Sequence, residues 1–127
     1  MYLDTDIILA LVKETDWLKP HINLDLIKDP KTSVFAIIEA ELIMDREYGR
    51  EFVQTVLKTI EANQIKIIPL DEKTTKKSAE LLAIYSQLNI FDSVHAAFSI
   101  LENETILSTD RIFKKISGVK HIDPRDL

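Results

Sequence analysis

The chain has 127 residues, which suits one domain with a single core and leaves no room for two. Its 46% hydrophobic and 29% charged residues, with only two Gly and four Pro, place it among globular proteins and exclude low-complexity and collagen-like classes. Sixteen basic against 21 acidic residues give a net charge of -5, the wrong sign for a protein that binds nucleic acid passively through a basic face.

The chain reads as short strands alternating with helices. Met1 to Asp4 is a very short apolar strand, stopped by Thr5 and Asp6. Ile7, Ile8, Leu11 and Val12 recur at helical spacing, so a helix follows. Lys13 to Lys31 holds Pro20 and Pro30 and many polar residues, with room for one short helix around Ile22 to Ile27. In this stretch Trp17 is expected to be a packing anchor. Thr32 to Phe35 reads as a buried strand, Ala36 to Glu47 as a helix stopped near Gly49, and Glu51 to Ala62 as another. Gln64 to Pro69 is an Ile-rich strand ended by proline. Asp71 should cap a long helix, Glu72 to Leu88, with Asn89 as its stop. Phe91 to Glu102 is a strongly apolar helix, Thr105 to Leu107 a strand, Arg111 to Ile116 a short helix and Gly118 to Ile122 a last strand. Strands separated by helices require right-handed crossovers, hence a parallel sheet with helices on both faces.

Several function classes drop out. The absence of cysteine removes disulfide scaffolds, thiolate metal sites and Cys nucleophiles, and fits a reducing cytoplasm. His21, His95 and His121 are too scattered for a His-built zinc site. No apolar run reaches the roughly eighteen residues of a membrane span. The opening MYLDTDIILALV, without a basic start and with acids inside the apolar run, is not expected to be a signal peptide.

In a parallel α/β sheet, function sits beyond the carboxyl ends of the strands. Asp4 ends the first strand, beside Thr5 and Asp6. Glu39 lies one helical turn past the second. Asp92 opens the apolar helix, and Ser108, Thr109 and Asp110 end the fourth strand. Taken alone, Asp92 and Asp110 read first as helix caps, and Asp4 as a turn or helix-cap acid. Taken together they form a cluster of acids from four chain segments, and nearby carboxylates disfavour each other's ionisation. A hard divalent cation such as Mg²⁺ or Mn²⁺ resolves that repulsion, because it takes oxygen ligands and keeps several waters. Carboxylates, metal and water are the equipment of phosphodiester hydrolysis.

These residues resemble the PIN-domain family, particularly the VapC-type toxin ribonucleases, along nearly the whole chain from LDTDIILALV to HIDP. The family's first strand ends in Asp-Thr or Asp-Ser, here Asp4 and Thr5. Its second acid is a Glu on the helix after a Ser-containing strand, here Glu39, six positions after Ser33 in SVFAIIEAEL. Its third begins a helix of the form Asp-x-x-x-Ala-Ala, here Asp92 in FDSVHAAFS. Its fourth is Asp110 in LSTDRIF, three residues before Phe113. Glu41 competes with Glu39, but two residues apart on a helix they point about 200° apart, so one of them faces the site.

The resemblance implies a three-layer α/β/α sandwich with a central parallel sheet in order 3-2-1-4-5. It implies a single nuclease domain over residues 1–127, and a Mg²⁺- or Mn²⁺-dependent endoribonuclease in which activated water attacks phosphorus in line, leaving a 5′-phosphate and a 3′-hydroxyl. Asp4, Glu39, Asp92 and Asp110 would be the catalytic, metal-binding acids. Thr5 and Thr109 would orient carboxylates, and Asp6 would support them. A homodimer, a small antitoxin protein that blocks the site and an RNA substrate are further implications. Dimerisation is expected through the helices Ile7 to Val12 and Ala36 to Met44, each apolar on more than one face. Two other readings stand beside this one. The first is a catalytically silent binding module on the same fold. The second is a haloacid-dehalogenase-like phosphatase, since LDTDIIL carries an Asp-x-Asp, although Ile8 stands where such enzymes have Thr. His95 reads as a satisfied, partly buried histidine.

Overall fold

A computed structural model describes residues 1–127. Five short strands, β1 (Tyr2–Leu3), β2 (Lys31–Ser33), β3 (Lys66–Ile68), β4 (Ile106–Leu107) and β5 (His121–Ile122), form one sheet in the order β3-β2-β1-β4-β5. All four neighbouring pairs are parallel. The helices are α1 (Thr5–Val12), α2 (Val34–Tyr48), α3 (Gln54–Ala62), α4 (Glu72–Ile84) and α5 (Ile90–Glu102). None is long and apolar enough to cross a membrane.

Alternation along the strands divides the core in two, as the period of two requires. Leu3 and Leu107 face a cluster with α1, α2 and α3 that includes Ile7, Ile37, Val56 and Ile60. Tyr2 and Ile106 face the opposite cluster with α4 and α5, where Tyr2 stacks on Phe98 with ring centroids 5.7 Å apart. The result is the expected α/β/α sandwich with its expected strand order.

Local chemistry moves several boundaries. The Ser33 hydroxyl accepts from the Ala36 N–H at 3.0 Å and caps α2, so Phe35, expected in the strand, lies in the helix. Gly49 closes α2 at φ +107°, a conformation that favours glycine, and donates its N–H to the Met44 and Asp45 carbonyls. The expected helix from Glu51 splits into a 3₁₀ turn, Arg50–Phe52, and α3. The fourth helix ends at Ile84, not Leu88, because Tyr85 turns extended, and Asn89 begins α5 instead of ending α4. Arg111–Lys115 winds as 3₁₀.

In the poorly patterned stretch, Lys19–His21 and Leu24–Leu26 are two 3₁₀ turns rather than one helix, with Pro20 in the first and Asn23 capping the second. Leu18 and Ile27 pin this stretch into the α1–α2–α3 core. Trp17 is not the anchor: its side chain is 63% exposed. The same packing buries Ile7, Ile8, Leu9 and Ala10 of α1, which leaves α1 no broad apolar face for a partner. Exposed apolar side chains occur on α2 and α3, where Ile38, Leu42 and Leu57 line a groove of about 810 Å³, and also on α4 and α5, as Ile84, Ile90 and Phe91.

Candidate active site

The two edges of the sheet differ in charge. At the amino edge, Glu104 is neutralised by the N-terminal ammonium at 2.7 Å and by Lys31. At the carboxyl edge stand acids from four segments, of which Asp4, Glu39 and Asp92 act on one imidazole.

β1 delivers Asp4, which is buried and caps α1 by accepting from the Thr5 N–H at 2.8 Å. Its other oxygen accepts from the Ser108 hydroxyl at 2.6 Å, and Ser108 Oγ accepts in turn from the Asp110 N–H at 3.0 Å. One hydroxyl at the end of β4 thus ties the first acid to the fourth. Asp110 itself accepts from the Ile112 N–H at 3.0 Å, so the cap reading of this residue is realised, with the rest of its carboxylate exposed.

Glu39 stands on α2 one and a half turns past the Ser33 cap. Its Oε1 accepts from the Thr5 hydroxyl at 3.0 Å and pairs with His95 Nε2. Glu41 points into the α2–α3 groove. Asp92 lies in the first turn of α5, but Asn89 is the cap, accepting from the Asp92 N–H at 2.8 Å. The Asp92 carboxylate is not the cap, and the backbone of Asn89 acts on it only to favour its charge. Burial first, then the charges of Asp110 and Asp4, hold it above the ordinary Asp range. That shift marks three acids within electrostatic reach of one another.

Asp6 accepts from the Thr109 N–H at 2.9 Å and the Thr109 hydroxyl at 2.6 Å, both on Oδ2. Its Oδ1 is buried without a partner. Burial and the neighbouring Asp4 charge push its pKa up to about 6. An acid with a raised folded pKa binds more protons folded than unfolded, so stability falls as pH rises from about 4 through 6. Urea unfolding in EDTA should show Asp6→Asn gaining on the wild type over that interval, with the gain level above about pH 7; parallel profiles would refute the assignment.

The histidine that the sequence marks as satisfied and partly buried is bonded on both ring nitrogens, and its partners place it at the centre of this network. His95 is buried, three residues past Asp92 on α5. Its Nε2 side meets Glu39, Asp4 Oδ1 at 3.4 Å and Thr5 Oγ1 at 3.2 Å, and Nδ1 lies 2.7 Å from the Tyr2 hydroxyl. Burial opposes a charge on the ring, but Asp4, Glu39 and Asp92 outweigh it and raise the His95 pKa. In the protonated ring both nitrogens donate, to Glu39 and to Tyr2, and the Tyr2 hydroxyl is 2.8 Å from Ser33 Oγ. The i to i+3 spacing from Asp92 is the signal that could have found His95, since it puts both on one face.

The donor set fits a divalent cation of the Mg²⁺ type. Every acid offers hard oxygen ligands, the charges of Asp110 and Asp4 add to burial in raising Asp92, and Asp6 Oδ1 is an orphaned buried oxygen. No three of the His, Asp and Glu side chains are drawn together to hold an ion as they stand.

Among solved structures, the VapBC2 structure from Rickettsia felis, bound to a DNA fragment from its promoter, matches with TM-score 0.74 and 21% identity over 96% of each chain. VapC20 from Mycobacterium tuberculosis, described as a sarcin–ricin-loop-cleaving toxin, gives 0.76 and 15% over 90% of this chain and 92% of that one. DNA-bound VapBC from Salmonella typhimurium gives 0.76 and 15% over 97% and 96%. At such identities the likeness is one of fold. A comparison with curated protein sequences gives no significant match. The PIN domain family model matches residues 1–119, a span that takes in β1 through β4 and every acid described above, and the chain belongs to the PIN domain family.

Proposed function

We propose that this chain is a divalent-metal-dependent endoribonuclease, a single nuclease domain and the toxin of a toxin–antitoxin pair. The observation that carries the reading is the set of acids at the carboxyl edge, where Ser108 ties Asp4 to Asp110 and Thr5 and His95 hold Glu39, in a chain of the PIN domain family.

Asp4, Glu39, Asp92 and Asp110 would hold the ion, Mg²⁺ or Mn²⁺. When bound, such an ion polarises a phosphoryl oxygen and makes water a nucleophile near neutral pH. The chain's own residues do the positioning. Thr5 holds the Glu39 carboxylate, Ser108 sets the distance between Asp4 and Asp110, and Thr109 fixes Asp6 with one oxygen unpaired. His95 supplies positive charge between Asp4 and Glu39 and keeps their carboxylates in place. Incubation of purified protein with structured and unstructured RNA, in Mg²⁺, in Mn²⁺ and in EDTA, tests the reading. It expects metal-dependent fragments with 5′-phosphate ends; intact RNA under all three conditions overturns it.

The structural neighbours described as VapBC complexes support a small antitoxin as partner. The reading also includes a homodimer, for which the apolar surface on offer is the α2–α3 groove with Ile38, Leu42 and Leu57. Light scattering should return a dimer mass, and Leu42→Glu, an exposed change that leaves the core intact, should return a monomer. A monomer mass for the wild type across a wide concentration range rejects the dimer.

A further inference from the structure

A chain of net charge -5, with four acids at its proposed site, repels a polyanion unless cations stand beside that site. They do so on one side. The 3₁₀ turn after β4 carries Arg111, the residue next to Asp110, and Lys114. The turn after the adjacent strand β5 carries Arg125. All three line one pocket of about 360 Å³ with Asp123 and Asp126. β4 and β5 are parallel neighbours, so both turns leave the sheet at the carboxyl edge, beside the acid cluster.

These cations are not equivalent. Asp123 grips Arg125 through Nε at 2.8 Å and through Nη2, and holds the guanidinium 5.6 Å from the ring of Trp17. Asp123, kept near pKa 2 by that pairing, is charged at any physiological pH. Trp17 therefore has a partner on one side while its side chain remains 63% exposed, with His21 edge-on at 6.5 Å. Arg111 and Lys114 are exposed and form no salt bridge. Arg125 thus links an open aromatic ring on one side to a pocket with two unpaired cations on the other, and aromatic ring plus cations is the combination that single-stranded nucleic acid uses: bases stack on the ring and phosphates meet the charges.

We propose that Trp17, clamped by Arg125, stacks on a base of single-stranded RNA while Arg111 and Lys114 hold its backbone phosphates, so that this shelf feeds the strand to the acid cluster. The choice of RNA rests on the ribonuclease reading above; the shelf itself is a binding surface whose occupancy needs no cleavage.

Trp17 is the chain's single tryptophan, so its fluorescence reports on this position alone. The test titrates a short 2′-O-methyl oligoadenylate into the whole chain in EDTA, following Trp17 fluorescence and the anisotropy of a labelled oligonucleotide. Saturable quenching is expected. Trp17→Ala should weaken binding about tenfold, with recovery in Trp17→Phe. Arg111→Gln with Lys114→Gln should weaken it at least tenfold and flatten the salt dependence by about 1.4 in log–log slope, the share of two phosphates on a single strand. Unchanged affinity in both variants overturns the shelf, even if the wild type cleaves RNA with metal. Quenching by polyglutamate as strong as that by the oligonucleotide overturns it in favour of an acidic protein partner. Variant-sensitive binding without cleavage in any metal keeps the shelf and rejects the nuclease.

Discussion

Asp92→Asn is expected to lower metal-dependent RNA cleavage at least a hundredfold while leaving the metal-free protein as stable as the wild type or more so. The first half follows from the proposed role, since one lost carboxylate removes charge that binds the ion and several kcal/mol of stabilisation depend on that ion. The second half follows from the geometry. Asn89, not Asp92, caps α5, so the substitution removes no cap. Burial and the charges of Asp110 and Asp4 raise the Asp92 pKa, which means that its ionised form is disfavoured in the folded state. A neutral amide relieves that burden above the ordinary Asp range and changes little below it. Thermal melts in EDTA at pH 5 and pH 8, together with cleavage assays in Mn²⁺, decide the matter. Loss of apo stability by about 1 kcal/mol or more, the size of a lost cap, would count against this account.

His95→Ala should act in the opposite sense. It removes the one group that can carry positive charge among Asp4, Glu39 and Asp92, and it strips the Tyr2 hydroxyl of a partner. Leaving a buried charge uncompensated typically destabilises by about 3 kcal/mol or more. The pH dependence separates charge from packing. A histidine whose folded pKa is raised contributes stability that is fully present below its unfolded pKa of about 6.5 and is lost as pH rises through the folded value. The gap between wild type and His95→Ala should therefore be widest at pH 6 and narrow at alkaline pH, as measured by urea unfolding without metal. A constant gap would mean that the imidazole acts only by filling space. His95→Gln, which keeps hydrogen-bonding capacity without charge, should fall between the two.

Much of the architecture is written in short stretches of sequence. The order of strands and helices follows from local periodicity and from punctuation by Gly49, Pro69 and Asp71, which act over a few residues. The acids Asp4, Glu39, Asp92 and Asp110 were visible for the same reason: each stands at a strand end or near a helix start, and a parallel sheet sends all such positions to one edge. Helix geometry said that only one of Glu39 and Glu41 faces the site, because residues two apart on a helix point about 200° apart, and the Ser33 spacing of the family resemblance chose Glu39. Boundaries failed where a side chain chose between two roles. Asn89 could stop one helix or start the next, and only the extended turn at Tyr85 awarded it to α5.

Packing between distant segments decided the rest. Tyr2 and His95 are 93 positions apart, as Asp4 and Ser108 are 104 apart, and no spacing rule links such pairs. His95 carries the same letter whether it fills an apolar face or neutralises two carboxylates. Its role was set when α5 docked beside β1 and brought its ring to Asp4 and Glu39. Trp17 shows the converse, an aromatic residue that composition assigns to the core and that the fold leaves outside, because Leu18 and Ile27 already pin its segment. Hydrophobic pattern specifies which elements form, but the electrostatic environment of a buried group depends on what lies within a few ångströms from any part of the chain.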